Sequence, residues 1–237
     1  MSETKDNIHK DHRERVKNRF RAEGLDNFAE VHALELLLFY AFPQKDTNPV
    51  AHRLLDHFGS LTQVLNAPVE ELEKIKGMGK HSATLLTLTR ELCRYYMVQE
   101  QKVCEVLKTT RECGDYLLPY FVGKRDETVY LLCLDSKCKV ICCKEVGSGS
   151  VNTTAVSVRK VVETALTANA TSVVLAHNHP SGFAMPSDED LLTTIRIGRA
   201  LDAVGVILVD HVVVADNDYV SMAESGMYSS RDCTSLI

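Results

Sequence analysis

The chain is 237 residues long, 45% hydrophobic and 25% charged, with a formal net charge of −5. That mix belongs to a globular protein with enough chain for one large or two smaller domains, so neither disulfides nor a metal are needed merely for folding. It excludes a chain that binds nucleic acid by overall charge, and the longest apolar run, LLLFYAF at residues 36–42, is too short to cross a bilayer.

The first twenty residues, MSETKDNIHKDHRERVKNRF, have no signal-peptide core, so a cytoplasmic location is expected. Residues 1–102 hold 15 basic and 15 acidic side chains, which leaves the whole net charge in the remainder. Lys10, Arg13, Arg15, Lys17, Arg19 and Arg21 face only Asp11 and Glu14 locally. The segment reads either as a solvated helix face or as an arm that contacts phosphates.

Residues 12–98 read as helical. HALELLLFYAF is a buried helix stopped by Pro43, and NPVAHRLLDHF starts at Asn48-Pro49 and ends at Gly59. SLTQVLNA and PVEELEKI follow as short helices. Gly77-Met78-Gly79 then interrupts the pattern, and HSATLLTLTRELCRYYM resumes it. The glycines permit a tight turn, and Lys76 and Lys80 flank the free amides of the next helix. That geometry suits a DNA phosphate, and equally a structural or protein-contacting hairpin.

VQEQKVCEVLKTT reads as a linker, and beyond it the texture changes. TVYLLCLD, turn SKCK and VICCKEVG form a predicted β-hairpin. SVRKVVETALTANA is a helix, SVVLAHNH a buried strand, SDEDLLTTIRIGRALDAVG a helix and VILVDHVVVAD a strand. Helices alternating with strands around one sheet define an α/β or α+β domain. The expected division is a helical domain at 1–101 and a sheet-and-helix domain at 102–237, with a frayed tail after about Met227. None of the eight cysteines falls in a C-x-x-C, and reduced, buried thiols are the expected state.

The chemistry concentrates in LAHNHPSGFAMPSDED, residues 175–190. Residues two apart on a strand share a face, so His177 and His179 project together while Asn178 points away. Pro180 ends the ladder and Gly182 permits a reversal that can return Asp190 to the imidazoles. Two imidazoles and a carboxylate are a three-ligand zinc set with a fourth position open. Ser187 and Asp190 also have the S-x-x-D spacing of a helix cap, which needs no metal, and the two readings can coexist.

HNHPSGFAMPSDED matches the H-x-H-P-S-G-x-x-x-P-S-x-x-D signature of the RadC family, whose carboxy-terminal domain is of the JAMM/MPN metalloprotease type. The segments EVGSGSVNTTAVSVRKVVETALTANA and LVDHVVVADNDYVSMAE resemble the family on either side of the motif. DHRERVKNRF through IKGMGKHSATLL resembles its helix-hairpin-helix region. The resemblance implies a cytidine-deaminase-like α/β fold with Zn2+ on His177, His179 and Asp190. It also implies Ser187 as an oxyanion donor and an upstream glutamate as general acid and base. That glutamate is expected at Glu145, with Glu163 as competitor. Ser150 and Lys160 depart from the threonine and acidic residue expected of the family. Asp210-His211 reads as a support for the site or as structural.

Two function classes follow. One is a zinc hydrolase acting on an amide or isopeptide bond of a peptide or protein, with phosphodiester hydrolysis as the runner-up chemistry. The other is a DNA-repair-associated binding factor. Weak, sequence-independent DNA contact is expected through Lys76, Gly77, Gly79, Lys80, Arg15 and Arg19, and no membrane contact.

Overall fold

A computed structural model describes residues 3–101, 106–149, 156–180 and 182–230, with side chains from residue 12 onward. Two compact units divide it, Met1–Cys93 and Arg94–Ile237. No described helix is long and apolar enough to cross a membrane.

The first unit is helical: α1 (Glu3–Glu23), α2 (Glu30–Ala41), α3 (Asn48–Phe58), α4 (Leu61–Asn66), α5 (Val69–Lys74) and α6 (Lys80–Gln101), the last crossing the division. Leu34, Leu38, Leu54, Val64, Leu72 and Leu86 form its core. α2 ends where Pro43 approaches, and the carbonyls of the turn that follows it receive the Arg13 guanidinium. That group donates to Phe42 O and Lys45 O, and to Pro43 O at 2.9 Å. Burial lowers the Arg13 pKa against the pull of Glu35 and Asp46. Glu35 is fully buried, and His12 Nε2 (3.1 Å) and Asn48 Nδ2 (3.3 Å) satisfy its carboxylate.

The second unit holds α7 (Thr110–Phe121), β1 (Glu127–Leu134), β2 (Val140–Gly149), α8 (Val158–Thr167), β3 (Ser172–Asn178), α9 (Asp188–Asp202), β4 (Ile207–Ala215) and β5 (Asp218–Ser221). The sheet order is β2-β1-β3-β4-β5. β3 and β4 pair in parallel across the α9 crossover, and the other pairs are antiparallel. The α+β layout expected from the sequence is present, a helical region followed by a sheet-and-helix domain.

Side-chain alternation assigns each sheet face its own helices. Val129, Leu131, Val173 and Leu175 pack with Val161 and Ala165 of α8 and Ile197 and Leu201 of α9. Tyr130, Leu132, Val174 and Ala176 pack with Tyr116, Leu117 and Phe121 of α7. α7 and β5 are elements that the sequence reading did not find. The linker reading partly lies outside the described residues, at 102–105. Within the tail expected to fray, Tyr228 is buried and its hydroxyl donates to Leu208 O at 3.0 Å. Residues 231–237 lie outside the described residues.

Candidate metal centre

β3 runs buried to its end because both sheet faces are covered, and His177 emerges there on the α8–α9 face, opposite Val129 of β1 and Val213 of β4. His179 continues the direction, its amide donating to Val214 O at 2.8 Å. Gly182, at φ +85°, turns the chain back. α9 then begins in a capping box. Asp190 N donates to Ser187 Oγ at 3.2 Å, while Asp190 Oδ2 accepts from Ser187 N at 2.7 Å and Ser187 Oγ at 2.6 Å. The cap therefore fixes the carboxylate of Asp190 and leaves Oδ1 toward His177.

The result is a compact donor set. His177 Nε2 lies 2.9 Å from His179 Nε2 and 3.2 Å from Asp190 Oδ1, and His179 Nε2 lies 3.5 Å from Asp190 Oδ2. Tetrahedral zinc with bonds of about 2.0–2.1 Å separates its ligand atoms by about 3.3 Å, and one donor atom from each of the three residues lies within 4.8 Å of the others, close enough to gather round one cation. Among the described residues they are the group of three metal-ligating types drawn together in this way.

Hydrogen-bond direction supports that fit. His179 Nδ1 faces Phe183 O at 3.1 Å, and a carbonyl only accepts, so Nδ1 carries the proton and Nε2 a lone pair. For His177 the direction passes through a longer chain. Thr194 Oγ1 lies 2.6 Å from Asp190 O and 2.6 Å from His211 Nδ1, and His211 Nε2 lies 2.8 Å from His177 Nδ1. The Asp190 carbonyl takes the one hydroxyl proton of Thr194. His211 Nδ1–H then donates to Thr194, and His177 Nδ1–H to His211. Both Nε2 lone pairs therefore face each other at 2.9 Å, an arrangement that calls for a cation between them.

Burial raises the Asp190 pKa, but a proton on an imidazole Nε2 can stand where the cation would, and its hydrogen bond to Asp190 outweighs burial and holds the carboxyl well below the carboxylate range. The Asp190 hydrogen bond raises the pKa of His179, against burial and with a smaller contribution from Glu127. Burial keeps His211 neutral, its pKa well below the usual value.

Glu145 is not brought to this cluster. It pairs with Tyr130, which pairs with Ala176, and all three lie on the α7 face. Its Oε2 accepts from Lys124 Nζ at 3.1 Å and from Tyr130 Oη at 3.4 Å. Cys143 packs on that same face, which α7 covers. Glu163 is exposed on α8 and pairs with Arg159 at 2.7 Å, and Lys160 is exposed beside it.

Glu127 stands on the sheet face that bears His177. It opens β1 two residues before Val129, which stands opposite His177. Asn178 pins the backbone on either side of it, accepting from Thr128 N at 2.8 Å and donating to Asp126 O at 3.3 Å. Glu127 makes no hydrogen bond or ion pair among the described residues, and its charge reaches His179. Sequence reading also missed Thr194, although its four-residue spacing from Asp190 on one helix was available. His211 supports His177, while Asp210 is structural: it accepts from Ser221 Oγ (2.6 Å), Ala223 N (2.9 Å) and His211 N (2.7 Å).

The hairpin residues Lys76, Gly77, Gly79 and Lys80 join α5 to α6, and all four are exposed. Gly77 has φ +102°, and its missing Cβ would stand 3.0 Å from Arg53 Nη2 and Val50 Cγ2. The Gly79 amide donates to Ser82 Oγ at 3.0 Å, so that donor is already committed within the hairpin. Arg15 and Arg19 are exposed on α1.

Comparison with known proteins gives a consistent placement. A family profile described as a RadC-like JAB domain matches residues 107–227. A UPF0758 protein of Fusobacterium nucleatum is 38% identical over 234 residues, covering 96% of this chain and 100% of the relative. One of Ruegeria pomeroyi is 34% identical over 221 residues, covering 92% and 97%. A third, from a Polaromonas species, is 37% identical over 213 residues, covering 90% and 95%. With the profile spanning its whole sheet domain and these relatives spanning nearly all of it, the chain belongs to the RadC family.

Proposed function

We propose that the chain is a zinc-dependent hydrolase of the JAMM type that cleaves an amide or isopeptide bond in a peptide or protein. The observation that carries this reading is the pair of histidine Nε2 atoms facing each other beside Asp190, with Glu127 on the same sheet face. Zinc held by His177, His179 and Asp190 would supply a Lewis acid that makes water nucleophilic near neutral pH and polarises a carbonyl.

The chain's own residues do the rest. Glu127 takes the proton from the attacking water on its carboxylate and returns it to the leaving nitrogen. Asn178 fixes the backbone that aims Glu127, and Ser187 fixes Asp190. The Ser187 proton lies on Asp190 Oδ2, so an oxyanion contact from this hydroxyl requires it to swing toward substrate.

The rim favours a peptide over a phosphodiester. Between His177 and Asp190 the sequence has no lysine or arginine, and Asp188 and Glu189 add negative charge. Phe183, Met185 and Leu192 are 77%, 72% and 68% exposed there, an apolar setting suited to peptide side chains and not to phosphates.

The test is a panel of peptides, isopeptide-linked conjugates and DNA, incubated with the full chain loaded with zinc. Cleavage of an amide bond, abolished by a chelator and restored by zinc, is the expected result. Cleavage of DNA alone, or no cleavage of any substrate at full zinc loading, contradicts the proposal.

A further inference from the structure

The amino-terminal unit holds a pocket for which the hydrolytic reading has no use. Its volume is about 210 Å3, and its lining is His12, Arg15, Val16, Arg19, Phe28 and His32. The positions 12, 15, 16 and 19 share one face of α1 by their three- and four-residue spacing. Phe28 and His32, at the entry to and in the first turn of α2, close the other side.

The polar groups of this lining are two guanidiniums and two imidazoles, with no carboxylate among them. Arg13 is different, since its guanidinium holds the end of α2. Arg19 is preset for binding. Its guanidinium lies 4.7 Å over the Phe28 ring and donates to Asn27 O at 2.7 Å, with Glu23 at 3.5 Å. The Arg15 and His32 side chains make no hydrogen bond or ion pair among the described residues. His12 is backed by the buried Glu35.

Glu35 engages His12 and Glu23 engages Arg19 from behind the lining, so the Arg15 guanidinium carries the charge that an entering anion would neutralise, with donors of Arg19 and the imidazoles beside it. A phosphate group matches this lining better than a carboxylate, because its tetrahedral oxygens can accept from both guanidinium forks and an imidazole together. We propose that this pocket binds a phosphate group, borne either by the backbone of a nucleic-acid strand or by a small phosphate ester. Recognition through the backbone is independent of base sequence.

The experiment titrates the full chain with three probes, namely inorganic phosphate, a nucleoside monophosphate and a single-stranded oligonucleotide. The variants are Arg15→Gln and Arg19→Gln, with Arg21→Gln as the control outside the lining; circular dichroism checks that each is folded. Loss of roughly tenfold or more in affinity is expected for Arg15→Gln, with little change for Arg21→Gln. If the oligonucleotide is the ligand, the salt dependence of its binding should also weaken by about one counterion in Arg15→Gln. Binding of the small probes alone, with the same Arg15 dependence, assigns the pocket to a small phosphate ester. Phosphate held at the metal centre would be indifferent to Arg15, and that outcome overturns the proposal. So do equal losses in Arg15→Gln and Arg21→Gln, or the absence of binding by every probe at millimolar concentration.

Discussion

Glu127→Gln is expected to cut amide hydrolysis roughly 10²–10⁴-fold while leaving zinc content and folding unchanged. The substitution keeps the side-chain volume and removes only the group that accepts and returns a proton. Glu127 is not among the three residues whose ligand atoms converge, so the zinc set stays intact. It lies at the open end of β1 on the α8–α9 face, where no described hydrogen bond or ion pair depends on its charge. Glu145→Gln is the companion measurement. Glu145 stands on the opposite sheet face with Lys124 and Tyr130, so turnover should stay close to that of the native chain. Comparing both variants at matched zinc content decides between the two glutamates. Loss of turnover in Glu145→Gln with retention in Glu127→Gln would reverse the assignment.

His211→Phe is expected to weaken zinc binding by roughly 10–100-fold without touching a ligand. The ring keeps its packing but loses both nitrogens, so His177 Nδ1–H loses its acceptor and Thr194 Oγ1 its donor. Nothing then holds the His177 proton on Nδ1, and the tautomer that points its lone pair away from the metal position becomes accessible. Two buried groups also lose partners, each costing about 1–3 kcal/mol, so the thermal midpoint should fall as well. His211→Gln separates the two effects, since an amide can both accept from His177 and donate to Thr194. Competition with a chelating dye measures the affinity. Partial recovery in His211→Gln supports the positioning role, and native zinc affinity in His211→Phe contradicts it.

Much of the sheet domain was legible because its elements carry strong periodicity. The hairpin of β1 and β2, the buried β3 and the α9 crossover all follow from runs of strand-forming and amphipathic residues. The cluster of His177, His179 and Asp190 was legible for a local reason: two histidines at strand spacing and a cap at helix spacing lie within fourteen residues of each other. α7 was hidden by Gly114 and Pro119, which read as helix breakers. Gly114 is required by packing, because a Cβ there would stand 2.2 Å from the Tyr219 ring. Glu145 was expected from the resemblance to the family, and without α7 nothing marked its sheet face as the one turned away from His177. The support expected of Asp210-His211 falls to His211, which a bulge at Val209, between the pairs Val173–Leu208 and Val174–Asp210, aims at the site. Strict alternation from Leu208 would turn His211 away from Leu175 and His177, and the extra residue turns it toward them.

The most direct test of this account is the zinc content of the purified chain beside His177→Ala and Asp190→Ala, with folding verified by circular dichroism. The geometry predicts one zinc per chain in the native protein, because three donor atoms converge on a single position with two lone pairs facing each other. It predicts that either substitution abolishes tight binding while the sheet domain remains folded, since the ligands stand at the end of β3 and the start of α9 and not in the core between them. Full zinc retention in both folded variants would contradict the account, as would a native chain that takes up no zinc.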